Sequence, residues 1–191
     1  MGDRYPEPGS GIGGAWDRLV GPGASGLENA GSAAFAAVGA CIGLTAASRD
    51  WGLLKRATAA LMAADLFGGV WANATPSAVR WYHGRGQGVR EMVAFSALHL
   101  HPFLVSAFYR EHDRGFALGN YTYLLLATAT TAGTPPPYRR AVALALCCVA
   151  VWLDTAVWRP PPGLGWFAPA YYIKLLASHA AGQAPGRQDP S

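Results

Sequence analysis

The 191-residue sequence predicts an all-α fold, a polytopic transmembrane helical bundle. About six spans are expected, within a range of about five to seven, since about 20 helical residues cross a bilayer. Three observations carry this. Only 14% of residues are charged, against about 25% in soluble domains. Long stretches without charge alternate with short basic connections. Tryptophans and tyrosines, among them Trp51, Trp71, Trp81, Tyr109, Trp158 and Trp166, gather near the ends of those stretches, as an interfacial aromatic belt requires. Mean hydropathy is only +0.15, because the apolar stretches are built on Ala and Gly. A soluble Ala-rich bundle is the competing reading, and the charge-free runs favour the membrane.

Residues 1–29, rich in Gly, Pro and charge, are expected to form a flexible tail or one lying on the surface, with Trp16 and Val20 as interfacial anchors. Two G-x-G-x-x-G matches fall there, Gly9–Gly11–Gly14 and Gly21–Gly23–Gly26. Neither follows a strand, so neither builds a phosphate cradle. The transmembrane domain is placed at 30–179, and a disordered tail at 180–191.

Segment one, near 30–48, carries Gly39, Gly43 and Ala47 at four-residue spacing. Such a small-residue face lets helices approach closely and offers a route to a homo-oligomer. Segment two, near 57–79, places Asp65, Gly69 and Asn73 on one face, and Pro76 is expected to end or bend it. Segment three, near 92–109, holds His99, His101 and Pro102. On a regular helix those histidines point about 200° apart, and Pro102 could re-aim one of them. Segment four, near 116–132, carries Asn120, Tyr121 and Tyr123. Segment five, near 141–158, ends with Asp154, and segment six, near 164–179, carries Lys174. Proline runs at 135–137 and 160–162 separate the last three segments.

An even number of spans puts both tails on one face. Arg4, Arg18, Arg80, Arg85, Arg90, Arg139, Arg140 and Arg187 would share that face, against Arg49, Lys55, Arg56, Arg110, Arg114 and Arg159 opposite. The small excess leans toward cytoplasmic tails. Net charge is +4, but no dense basic stripe with interleaved aromatics appears, so nucleic acid is not an expected partner. The three cysteines lie in apolar segments and give no disulfide framework; they are expected to be buried thiols. The N-terminus lacks the pattern of a cleavable signal peptide, and Pro6 stands where a myristoylation start wants Ser or Thr. Gly, Ala, Arg and Pro usage is that of a GC-rich bacterial genome, so a bacterial cell membrane is the expected location.

Polar groups inside apolar spans are costly and become functional candidates. Counting helical rise places Asp65 about 4 Å from the midplane, His99 and His101 near it, and Asn120 and Asp154 about 6–7 Å from it on Asp65's side. A single polar cavity built from these groups is therefore expected. The catalytic candidates are Asp65, His99, His101 and Asp154, and Asn73, Asn120, Trp71 and Tyr123 are the substrate-binding ones. Several polar groups have a plainer role: Asp154 at the interface, Lys174 snorkelling or pairing with a carboxylate, a histidine as a bonded core ring, Asn73 capping carbonyls freed by Pro76; Asp65, deep in its span, is the hardest to explain so.

The function expected is acid–base chemistry on a lipophilic substrate such as a lipid, quinone or polyprenyl compound. Isomerisation, cyclisation and hydrolysis are its natural reactions. Membrane lipids are the expected partners. No cofactor and no metal site is expected, since the dense histidine signature of membrane di-iron enzymes is missing. A small proton or ion transporter and a non-catalytic scaffold are the rival classes. No internal repeat supports the transporter.

Overall fold

The structure, a computed structural model, describes residues 6–84, 88–111 and 113–182, and every described element is helical. Arg4, Arg85 and Arg187 of the charge count, and the expected tail from residue 183 onward, lie outside the described residues.

Helix α1 covers Gly11–Val20, α2 Gly26–Thr45, α3 Leu53–Ala72 and α4 Pro76–His83. Next come α5 (Val89–Ala97) and α6 (His101–Tyr109), then α7 (Arg114–Gly133). Helix α8 (Pro136–Leu153) continues as a π-helical turn over Asp154–Trp158, and α9 (Phe167–Tyr172) as a longer π-helix over Ile173–Ala180.

The helix ends follow from local chemistry. Ser25 and Glu28 form a reciprocal capping box at α2. The same Glu28 carboxylate accepts bonds from the Ser77 amide and hydroxyl, both at 3.0 Å, and so ties α2 to α4. Thr75 caps α4 with Pro76 behind it. Asp113 caps α7, accepting from the Phe116 amide at 3.0 Å and from Arg110 at 2.6 Å. The Phe116 amide first, then the guanidinium, hold its carboxyl below the usual range.

Helices α2 and α3 form a close hairpin. A Cβ on Gly39 would overlap the Ala63 carbonyl, and one on Gly43 would stand 2.7 Å from the Ala59 carbonyl oxygen. The small-residue face is thus covered within the chain at Gly39 and Gly43.

The last helix runs through the centre. Phe167, Tyr171, Tyr172, Lys174, Leu175, Leu176 and His179 are all buried, with α3, α5, α7 and α8 packed around them. At one end of the bundle the Tyr109 hydroxyl donates to the Lys55 carbonyl, and Arg110 donates to the Arg159 carbonyl. At the other end the Tyr82 hydroxyl donates to the Arg18 carbonyl, and Gly182 lies against His83.

Several polar side chains are buried within an apolar core, while large apolar ones are exposed. Asn120, Asp154, Lys174 and His179 are buried, while Leu61, Leu98, Leu126, Leu144 and Trp152 face outward. Three helical stretches are long and apolar enough to cross a membrane: Gly26–Thr45, Val89–Tyr109 and Pro136–Trp158. That is half the number expected. Helix α3 is diluted by Lys55, Arg56 and Asp65, and α7 by Arg114, Asn120 and its threonines. The last helix, Phe167 through Ala180, is too short.

Three further expectations change. The N-terminal region contains α1, and α2 begins four residues earlier than expected, at Gly26, because of its capping box. Segment three is interrupted between Ala97 and His101. Of the thiols only Cys147 is buried; Cys41 and Cys148 face outward.

Candidate functional site

Asp65 sits past the middle of α3, with Gly68 and Gly69 one turn on. Its Oδ2 accepts from the Lys174 ammonium at 2.6 Å and stands 3.1 Å from His101 Nε2. The Lys174 side chain is 5% accessible, His101 14% and Asp65 46%. A carboxylate therefore looks into open space while its two nitrogen partners are packed behind it. Gly69 makes room for the arrangement, because a Cβ there would sit 2.7 Å from Lys174 Cδ. Buried charges persist when paired, and this pair joins the central helix to α3.

Pro102 explains how the histidines reach the same place. Without an amide hydrogen, and with a ring that crowds the carbonyl four residues back, it cannot continue α5. The chain passes through tight turns at 98–100, and Pro102 opens α6. The His99 and His101 rings end up stacked, 5.8 Å apart with planes at 17°, where an unbroken helix would splay them. His99 Nδ1 donates to the Phe95 carbonyl at 2.9 Å, which leaves Nε2 carrying the lone pair. The Tyr171 hydroxyl fixes the same turn by donating to the His99 carbonyl at 2.8 Å. His101 Nδ1 is buried without a partner.

Asp65, His99, Lys174 and Asn73 line one cavity of about 420 Å³. The rest of its wall is mostly apolar or aromatic, with Trp16, Leu19 and Val20 of α1, Ala36 of α2, Ala64 of α3, and Tyr82 and Phe95; Ser32 also lines it, with its hydroxyl donated to the Glu28 carbonyl. Helix α1 thus walls the cavity. It is fastened there by Trp16 Nε1 donating to Asn29 Oδ1 at 2.6 Å. Asn73 donates to the Lys174 carbonyl at 3.4 Å.

The other expected site residues lie elsewhere. Asp154 is 1% exposed at the end of α8, with Oδ1 unpartnered, and does not line the cavity. Asn120 is fully buried, donating to the Phe116 carbonyl and accepting from the Tyr172 hydroxyl at 2.9 Å. The Tyr123 hydroxyl donates to the Leu146 carbonyl at 2.7 Å. Trp71 Nε1 donates to the Glu28 carbonyl, and its ring packs on Phe35. Depth put Asn120 and Asp154 with Asp65. Their direction around each helix axis puts them in other contacts, so the expected single cavity divides.

No match to the chain is found among protein-family models, curated proteins or solved structures. The site is read from its own geometry.

His179 is the residue the sequence reading passed over. It is 1% exposed, and neither ring nitrogen has a partner. Its ring stacks on Phe95 at 3.8 Å and lies 5.4 Å from that of His83. On an α-helix, positions 174 and 179 point about 140° apart. On a π-helix they come nearly into line, which no sequence pattern announced. Among the described residues no three His, Cys, Asp or Glu side chains cluster closely enough to hold a metal.

Proposed function

We propose that the chain is a membrane-embedded bundle whose cavity binds a lipophilic molecule and performs acid–base chemistry on its polar end. The observation that carries this is the Asp65–Lys174–His101 cluster set in the wall of an apolar cavity of about 420 Å³. That volume falls within the range of small-molecule sites. An outer surface of leucines, with the buried polar groups turned inward, suits hydrocarbon surroundings. All six segments cross the bilayer in this reading. Helices α3 and α7 and the last helix, which carry Asp65, Asn120 and Lys174, cross alongside the three more apolar ones.

His99 is the base. Its Nδ1–H is anchored on Phe95 and its ring lines the cavity, so Nε2 can take a proton from a bound substrate. Lys174 supplies positive charge against the anion that develops, and Asp65 positions Lys174 and His101. Isomerisation, cyclisation or hydrolysis of a lipid, quinone or isoprenoid fits this equipment. The test is to incubate proteoliposomes of wild type, His99→Phe and Asp65→Asn with a total lipid extract and compare species by mass spectrometry. The expected result is a substrate consumed and a product formed with wild type only. Equal conversion by all three would contradict the assignment.

A further inference from the structure

The geometry points to a neutral, lipid-soluble alcohol as the occupant of the cavity, a long apolar body ending in a single hydroxyl. This deepens the reading of the same site and rests on it. The charge balance comes first. Asp65 already faces Lys174 at 2.6 Å, so with neutral imidazoles the cluster has no net charge to offer a charged headgroup. Burying an ion beside it would lack compensation.

The hydrogen-bond inventory comes second. Asp65 Oδ2 takes both nitrogen partners, and Oδ1 takes no donor among the described residues. His99 Nδ1 is spent on Phe95, which leaves Nε2 an acceptor. Both side chains line the cavity. A vacant acceptor in an apolar wall calls for a donor, and a hydroxyl can give its one hydrogen to Asp65 Oδ1 or to His99 Nε2 without bringing charge. A fatty acid would set its carboxylate against Asp65. A hydrocarbon would leave both acceptors unmet, which is how sites built around a hydroxyl reject analogues lacking it.

The rest of the cavity fits an unbranched or isoprenoid body. Leu19, Val20, Ala36, Ala64, Gly68 and Leu98 present carbon and hydrogen only, and Tyr82 spends its hydroxyl on the Arg18 carbonyl.

The test uses the full chain in nanodiscs with four matched probes: geranylgeraniol, the amine and the carboxylic acid of the same skeleton, and the parent hydrocarbon. Retention is read by native mass spectrometry on wild type, His99→Phe and Ala64→Phe. His99→Phe is chosen because it keeps the stacked ring while removing Nε2, whereas Asp65→Leu would strand Lys174 and threaten the fold. Wild type should retain the alcohol about tenfold better than the hydrocarbon, as one good hydrogen bond implies, and better than the acid or the amine. His99→Phe should lower that ratio severalfold while still holding the hydrocarbon, and Ala64→Phe should hold none of the four. Equal retention of alcohol and hydrocarbon by wild type would overturn the alcohol and leave the apolar pocket standing. Preference for the amine would overturn it in favour of a cationic ligand. Retention of all probes unchanged by Ala64→Phe would overturn both this inference and the pocket reading. Preference for the alcohol with no conversion in the lipid-extract assay would remove the chemistry alone.

Discussion

Asp65 and Lys174 form one pair but stand in unequal surroundings, 46% and 5% accessible, and their removal should be unequal too. Asp65→Leu leaves an ammonium buried in the central helix, which should cost about 3 kcal/mol. Lys174→Met leaves a carboxylate that keeps His101 and the open cavity, and should cost about 1–2 kcal/mol. The double variant should recover most of the loss. Unfolding of the four proteins in mixed micelles measures this cycle, and additive losses would show that the pair is not coupled. His179 makes the opposite prediction. With neither nitrogen bonded and its ring stacked on Phe95, His179→Phe should hold or raise the unfolding midpoint, while a clear drop would reveal a polar partner that His179 needs. His83 lies outside the spans, in α4. Burial first, and the Arg139 charge second, push its pKa below 6.5, against a smaller upward pull from the His179 carbonyl. The unfolded chain then binds the proton before the folded one as pH falls. His83 therefore contributes fully above about pH 6.5 and loses that contribution on acidification toward its lower folded value. His83→Gln should flatten the fall in melting midpoint between about pH 7 and pH 5; an unchanged slope would contradict the shift.

Two elements position the site, the α2–α3 hairpin and the break between α5 and α6. Gly39→Leu would force a side chain into the Ala63 carbonyl and should destabilise by about 1–3 kcal/mol or separate the helices, visible as a lowered melting midpoint. An unchanged midpoint would mean the close approach is not used. These elements also show what the sequence disclosed. The four-residue spacing of small residues on α2 announced a close helix pair, Pro102 announced a change of direction beside His101, and Asp65 stood out as a charge in an apolar run. Each is a local signal, carried by one residue type at one spacing. Depth along a helix grouped Asn120 and Asp154 with Asp65 but says nothing of azimuth, which tertiary packing fixes; neither they nor Tyr123 and Trp71 line the Asp65 cavity. Lys174 was visible as a charge, but its pairing with Asp65 spans 109 residues. His179 stayed hidden because the π-helix over Ile173–Ala180 rotates it into line. Helix α1 was obscured by its glycines, which weaken helical propensity; the Trp16–Asn29 and Tyr82–Arg18 hydrogen bonds fasten it.

At the scale of the whole molecule, the exposed leucines and the three long apolar helices are compatible with a membrane, and the Asp65–Lys174 pair opens onto a largely apolar cavity. The central claim is that this cavity holds a lipophilic molecule. Mass spectrometry of species co-purifying with the detergent-extracted protein tests it most directly, comparing wild type with Ala64→Phe and Asp65→Asn. The account predicts a specific lipid-soluble compound retained by wild type, lost from Ala64→Phe and reduced with Asp65→Asn. A protein that is soluble without detergent, or one whose three forms carry the same unselected lipids, would contradict it.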